Sequence, residues 1–283
     1  MNLIQETKFI LKKYNITANK NYGQNFLIDE NTVNTIVEEA QVCKEDLIIE
    51  IGPGLGTLTS LLLQNAGKVI CIELDSKMIT VLKDRFSLYE NFGLINDDIL
   101  KVDLKRLLHE NSNFKNVKVV ANLPYYITTP IIMKLLEQKL NLKSITVMVQ
   151  KEVAERLAEQ PGGKETGAIT YTINYYTNPK IILDVSKDCF VPSPKVDSSV
   201  LHLLILENPK INVSDEKLFF KIIKSAFLQK RKTLINSLSN SGIANKGFLE
   251  KMLNDLKINT KARAEQLTLE QFGEISDYIT KIA

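Results

Sequence analysis

The tetrapeptide Asn122-Leu123-Pro124-Tyr125 combines groups that could hold an amine on a flat ring. It follows the apolar run 117–121, which is typical of a buried parallel strand. The Asn122 side-chain oxygen can accept a hydrogen bond, and Pro124 biases Leu123 toward an extended backbone whose carbonyl can point outward. With the ring of Tyr125 beside these acceptors, the segment predicts a site for an exocyclic amine such as that of adenine. The same four residues also fit a simple proline turn.

A glycine-rich turn lies earlier in the chain, between a predicted strand at 47–51 and a predicted helix at 57–64. The turn reads Gly52-Pro53-Gly54-Leu55-Gly56. This order is typical of a nucleotide-binding βαβ unit, where glycines let the backbone approach a ligand at a helix N-terminus. The spacing lacks the third glycine of a dinucleotide fingerprint and the Gly-Lys-Ser/Thr of a P-loop, which argues against both sites. Taken alone, the turn also fits a structural role.

Acidic residues follow the next two predicted strands. Glu73 ends the strand predicted at 68–72, about 20 residues past the glycines, where a carboxylate can accept both ribose hydroxyls. Asp98 follows the strand predicted at 92–96 and is a candidate acceptor for an adenine amino group, whereas Asp97 is expected to be solvated. A helix N-cap or a solvated carboxylate is the alternative for Glu73.

Predicted strands and helices alternate over the first two thirds of the chain. Later strands are predicted at 144–149, 180–185 and 199–206, the last two as a hairpin-like pair. This pattern predicts an α/β fold with a doubly wound, mostly parallel seven-stranded sheet and an antiparallel edge. From residue 215 onward the pattern is helical, so we predict an α/β domain at 1–206 and a small all-helical domain at 207–283.

The composition, with 44% hydrophobic and 24% charged residues, is that of an ordinary soluble globular protein. The sequence shows no apolar run of membrane-spanning length and no signal-peptide pattern, and the three dispersed cysteines and two histidines make structural zinc and disulfides unexpected. We therefore expect a cytoplasmic protein without a metal site.

The charge is unevenly distributed. Residues 207–283 hold 13 Lys and Arg against 9 Asp and Glu, which permits a polyanionic partner. Lys230, Arg231 and Lys232 are predicted to continue the helix formed by 218–227, either as a solvated face or as contacts to nucleic acid.

Several segments together resemble the KsgA (RsmA) family of class I S-adenosylmethionine-dependent methyltransferases. They occur in the family's order and extend over nearly the whole chain: 24–27, 50–56, 73–75, 122–126, 190–198 and 226–234. The resemblance implies a Rossmann-like fold and an enzyme that dimethylates N6 of two adjacent adenosines near the 3′ end of 16S rRNA.

The resemblance also implies roles for individual residues. Asn122, with the Leu123 carbonyl in the Asn122–Tyr125 loop, would hold the adenine amine, and Tyr125 and Phe190 would stack on the flipped base. Lys230, Arg231 and Lys232 would contact RNA. The positions that match cofactor-binding residues are Asn25, Leu27, Gly52, Gly54, Glu73, Asp98 and Asn122.

The implied cofactor is S-adenosylmethionine, and the implied partner is 16S rRNA within the immature 30S subunit, bound by a monomer away from membranes. The alternative enzyme is the related 23S rRNA adenine methyltransferase that confers macrolide resistance. Tyr126 and the intact Lys195-Val196-Asp197-Ser198 segment favour the small-subunit enzyme. A third hypothesis, compatible with the first, is a checkpoint that binds immature small subunits during assembly.

Overall fold

The computed structural model describes residues 2–19, 22–229 and 231–282. The chain divides into two compact units, one of Met1–Ala154 with Lys180–Ile205 and the other of Glu155–Pro179 with Leu206–Ala283. The second unit thus includes residues 155–179, which the sequence pattern assigns to the first domain. The reason is packing, because Tyr171 and Tyr175 are buried in the same apolar cluster as the C-terminal helices.

A seven-stranded sheet organises the first unit. The strands of the chain are β1 (Phe26–Leu27), β2 (Asp46–Ile51), β3 (Lys68–Glu73), β4 (Phe92–Asn96), β5 (Asn116–Asn122), β6 (Ser144–Gln150), β7 (Thr177–Val185), β8 (Phe190–Val191) and β9 (Ser198–Ile205). The sheet order is β4-β3-β2-β5-β6-β9-β7. Strands β2 to β6 pair in parallel, and β9 is antiparallel to β6. The predicted α/β class and mostly parallel sheet are confirmed.

The helices are α1 (Leu3–Lys13), α2 (Glu30–Glu39), α3 (Thr57–Asn65), α4 (Ser76–Phe86), α5 (Leu104–His109), α6 (Thr128–Glu137), α7 (Lys151–Ala158), α8 (Ala168–Tyr176), α9 (Glu216–Phe227), α10 (Leu234–Asn240), α11 (Lys246–Asp255) and α12 (Leu269–Ile282). Several of these helices begin at a residue whose side chain caps the helix N-terminus. Asp29 caps α2, with its Oδ2 2.8 Å from the Thr32 amide nitrogen. Thr268 and Gln271 form a capping box at the start of α12.

The central strands carry the core of the first unit. Leu47, Ile48, Ile49 and Ile51 of β2 are at most 2% exposed, because the sheet is covered on both faces. Parallel strands end at the same edge of a sheet, so the loops after β2, β3, β4 and β5 meet at the carboxyl edge.

The second unit packs its helices around an aromatic and aliphatic cluster that includes Phe219 and Phe272. Helix α9 ends at Phe227, so the prediction that Arg231 and Lys232 continue this helix is wrong. The Lys232 amide bonds the Gln229 carbonyl at 2.9 Å in a turn. Thr233 then caps the N-terminus of α10, so the chain starts a new helix there and does not continue α9. Lys230 lies outside the described residues.

None of the helices in the described ranges has the length and apolarity needed to span a membrane.

Candidate active site

The glycine turn after β2 depends on backbone that only glycine adopts easily. Gly54 and Gly56 have φ angles of 58° and 82°. A Cβ atom on Gly56 would lie 2.4 Å from Cε2 of Phe86, so a side chain there would require the ring to move. The amide of Gly54 donates to Oε2 of Glu73 at 3.2 Å, which ties the turn to the end of β3.

Glu73 is held at the carboxyl end of β3 with only 7% of its surface exposed. Its Oε1 accepts from the Asp75 amide at 2.8 Å, and its Oε2 accepts from Gly54. Burial raises the pKa of Glu73, while these backbone N–H groups oppose the rise. A carboxylate has about four acceptor sites, so capacity remains for two hydroxyl groups.

Glu50 lies beneath the glycine turn and is 2% exposed. The Thr59 hydroxyl donates to its Oε2 at 2.6 Å, and the Cys71 thiol approaches the same oxygen at 3.4 Å. Burial raises the pKa of Glu50 to about 7. Within the described part of the chain no lysine or arginine forms an ion pair with it. Perturbed carboxyl groups of this kind are typical of functional sites.

The N-terminal segment that ends in β1 forms one wall of the site. β1 pairs antiparallel with β8, which places Leu27 opposite Phe190. Gln24 Nε2 donates to Asp75 Oδ2 at 2.8 Å and so links the segment to the loop after β3. The Asn25 carbonyl accepts from Asn122 Nδ2 at 3.4 Å.

The predicted amine-binding loop begins where β5 ends. The Leu123 amide donates to the Met148 carbonyl at 3.1 Å, which anchors the loop to β6. The side-chain nitrogen of Asn122 faces the Asn25 carbonyl. The side-chain oxygen, Oδ1, therefore points away from Asn25 and can accept a hydrogen bond from a ligand. The Tyr125 hydroxyl bonds Ser198 Oγ at 2.7 Å, and burial raises its pKa.

The Asp98 turn, residues 98–102 after β4, forms the remaining wall. Asp98 Oδ1 accepts from the Leu100 amide at 2.9 Å, and the Asp98 carbonyl accepts from the amides of Lys101 and Val102. Asp97, Asp98 and Ile99 all line the site.

These elements enclose one cleft of about 1050 Å³, including the solvent at its mouth. Almost every predicted cofactor and amine-binding residue lines it: Asn25, Leu27, Gly52, Gly54, Glu73, Asp98, Asn122, Leu123, Pro124 and Tyr125. Sequence reasoning gave no binding role to several other residues that line the cleft, among them Tyr22, Gly23, Gln24, Glu50, Asp97, Ile99 and Tyr126. Gln24 and Glu50 could have been found from the sequence, because they belong to the segments 24–27 and 50–56 that resemble the family.

Phe190 is the predicted site residue that the structure does not bring into the cleft. Its ring is 2% exposed and packs in the core cluster with Leu27 and Val200. Arg231 and Lys232 are exposed on the second unit, in the connection between α9 and α10. The described residues contain no group of three or more His, Cys, Asp or Glu side chains that could hold a metal ion.

Comparison with known proteins identifies relatives over nearly the full length of the chain. The Ribosomal RNA adenine dimethylase family matches residues 15–281. A protein of Clostridium botulinum named Ribosomal RNA small subunit methyltransferase A is 49% identical over 98% of this chain and 99% of its own. A dimethyladenosine transferase from Plasmodium falciparum has a similar structure, with a TM-score of 0.74, 26% identity, and coverage of 90% of this chain and 98% of its own.

The alternative drawn from the sequence also has a structural counterpart. The 23S rRNA methyltransferase ErmE gives a TM-score of 0.68 at 22% identity, covering 90% of this chain and 100% of its own. At that identity the likeness concerns the fold alone, whereas the small-subunit relative is far more similar in sequence. The chain therefore belongs to the ribosomal RNA adenine dimethylase family.

Proposed function

We propose that this enzyme uses S-adenosylmethionine to dimethylate N6 of two adjacent adenosines near the 3′ end of 16S rRNA. The observation that carries the proposal is the convergence of the amine-binding loop, the glycine turn and Glu73 in one cleft. The name of the Clostridium botulinum relative, a small subunit methyltransferase, supports the choice of ribosomal subunit.

The chemistry of the cleft fits S-adenosylmethionine. Glu73 would accept the ribose hydroxyls, and Asp98 would accept from the adenine amino group of the cofactor. Asn25, Leu27, Gly52 and Gly54 would line its path, since all of them border the cleft. When bound, the cofactor supplies an activated methyl group on a sulfonium that carries its own leaving group.

The protein's contribution is to position the target amine. Adenine N6 is a poor nucleophile because its lone pair is delocalised into the ring. Acceptors at Asn122 Oδ1 and the Leu123 carbonyl would favour a pyramidal nitrogen whose lone pair points toward the methyl group. Pro124 stiffens this loop, and much of the rate would come from such positioning.

The target base must leave its stack to enter the cleft. Tyr125 is suited to stack on it, because the hydrogen bond between its hydroxyl and Ser198 fixes the ring. Stacking of this kind is worth on the order of 1–3 kcal/mol per base. Phe190 is proposed as the second stacking ring, and its ring would have to leave the core cluster to reach the base.

The RNA partner proposed is 16S rRNA within the immature 30S subunit, with Lys230, Arg231 and Lys232 contacting its phosphates. The experiment is to incubate unmethylated small and large subunits separately with the protein and labelled S-adenosylmethionine. Mass spectrometry of rRNA fragments should find N6,N6-dimethyladenosine at two adjacent positions of the 16S 3′ region. Label confined to 23S rRNA, or no label, would contradict the proposal.

A further inference from the structure

Lys134 on α6 is a half-buried lysine that binds backbone rather than an acidic partner. Its Nζ donates to the carbonyl oxygens of Ile99 and Val102, both at 2.8 Å. These two carbonyls belong to the Asp98 turn. An ammonium group on two carbonyls makes charge-assisted hydrogen bonds, which are among the stronger kinds in proteins.

The Asp98 turn is short, and it carries Asp98 between the flanking acidic residues Asp97 and Asp103. The amides of Leu100, Lys101 and Val102 bond to Asp98, through its side chain and its carbonyl. Asp97, Asp98 and Asp103 lie close enough to Lys134 to act on its ammonium, so the lysine offsets negative charge there.

Helix α6 places this ammonium relative to the rest of the site. The helix begins at Thr128, directly after the loop that carries Asn122 and Tyr125. Ile131, Ile132 and Leu135 on the same helix are at most 2% exposed, which fixes the helix in the core. Lys134 thus connects the Asp98 turn to the helix that follows the amine-binding loop.

We propose that Lys134 is a positioning residue that holds the Asp98 turn in place for the adenosine part of the cofactor. The inference rests on the proposed function, because it requires that this part of the cleft binds adenosine. Lys134 itself does not line the cleft and so acts through the turn.

The test is the variant Lys134→Met, which keeps most of the side-chain stem and removes the ammonium. The matched control is Lys101→Met, because Lys101 lies in the same turn and is exposed. Calorimetry with S-adenosylhomocysteine should give a dissociation constant roughly tenfold higher for Lys134→Met and within about twofold of the parent for Lys101→Met.

Two further readouts separate positioning from general destabilisation. Amide hydrogen exchange without cofactor should accelerate at residues 100–102 in Lys134→Met while the amides of β2 keep their protection. Affinity for small subunits should stay at the parental value. If Lys134→Met does not fold, Lys134→Gln, whose shorter side chain cannot span both carbonyls, takes its place with the same expectation.

An unchanged dissociation constant in the lysine variant would overturn the inference. A loss of exchange protection spread over the whole sheet would also overturn it, since Lys134 would then act on stability alone. Failure of the parent protein to bind S-adenosylhomocysteine would instead refute the proposed function, whereas the exchange measurement would still report on the turn.

Discussion

Asp46 and Glu50 lie four residues apart on β2, at its amino and carboxyl ends, and both carboxyl groups are buried. Asp46 has a full set of partners. Its Oδ2 accepts from Lys118 Nζ at 2.8 Å and from the Cys43 amide at 2.9 Å, and its Oδ1 accepts from Asn116. Glu50 accepts from the Thr59 hydroxyl and the Cys71 thiol, and no lysine or arginine of the described residues pairs with it.

The difference appears in the pKa values of the two acids. Burial alone would raise the pKa of Asp46, but hydrogen bonds from Lys118, Asn116 and Cys43 together hold it below its usual value. Burial raises the pKa of Glu50 to about 7 because no cation of the described chain offsets it. The amino edge of the sheet thus pairs its buried acid with a cation, whereas the carboxyl edge leaves Glu50 without one beside the cleft.

Breaking the ion pair between Lys118 and Asp46 at the amino edge should have the largest effect on stability. Lys118→Met leaves Asp46 buried without its counter-ion, which should lower the free energy of unfolding by about 3–5 kcal/mol. Urea unfolding is the measurement. Cofactor affinity in the folded fraction should be unchanged, because Lys118 does not line the cleft.

The double variant Lys118→Met with Asp46→Asn is the control, since it removes both charges and should recover much of the stability. A stable Lys118→Met protein with weakened cofactor binding would break the contrast between the two edges.

At the carboxyl edge, Glu50→Gln should change how stability depends on pH. The folded-state pKa of Glu50, about 7, lies above its unfolded value, so the folded protein retains a proton that the unfolded chain releases. The resulting stability is present below the unfolded pKa and is lost as pH rises through 7. As pH rises from the unfolded pKa to above 7, the free energy of unfolding of Glu50→Gln should therefore increase relative to that of the parent by roughly 3 kcal/mol.

Urea unfolding of parent and variant between pH 4.5 and pH 8 tests this, with Glu90→Gln as a control on an exposed carboxyl group. A difference between Glu50→Gln and the parent that stays constant with pH would show that Glu50 does not titrate as described.

Glu73→Ala should weaken cofactor binding. Hydrogen bonds to charged groups contribute roughly 1.5–3 kcal/mol, so the dissociation constant for S-adenosylmethionine should rise at least about tenfold. Glu73→Gln keeps the shape and one acceptor oxygen, and we expect a smaller rise. An unchanged calorimetric constant in the alanine variant would refute the ribose assignment.

The smallest effect is expected on the second unit, where charges are exposed. Neutralising Arg231 and Lys232 should reduce the slope of log affinity for small subunits against log salt by about 0.7–0.9 for each phosphate that these side chains neutralise in the parent. Neutralising Lys83 and Lys105, two exposed lysines of the first unit, is the control for net charge. Equal slopes for parent and both variants would make Arg231 and Lys232 a solvated surface.

The sequence predicted the local and periodic features well. The strand expected at 92–96 is β4, and the residues placed at strand ends, Glu73 and Asn122, meet in the cleft because parallel strands share an edge. Residues at strand ends can be recognised from the sequence because the turn residues and the strand pattern that identify them are close neighbours along the chain.

Features that depend on contacts between distant segments were missed. The burial of Phe190 follows from the pairing of β1 with β8, and the assignment of 155–179 to the second unit follows from Tyr171 and its partners. Lys134 stands in an apolar helix and gave no local sign that it binds the Asp98 turn. Periodicity reports which face is buried but not which segment covers it.

The central claim is that the carboxyl edge positions an adenine amine through Asn122, and single-turnover methylation of small subunits by Asn122→Ala at saturating cofactor tests it most directly. Losing one positioned acceptor should reduce the rate on the order of 10²–10³, by analogy with an oxyanion-hole donor, with little change in cofactor affinity. A rate within a few-fold of the parent, accompanied by a collapse of cofactor binding, would make Asn122 a cofactor ligand only and contradict the claim.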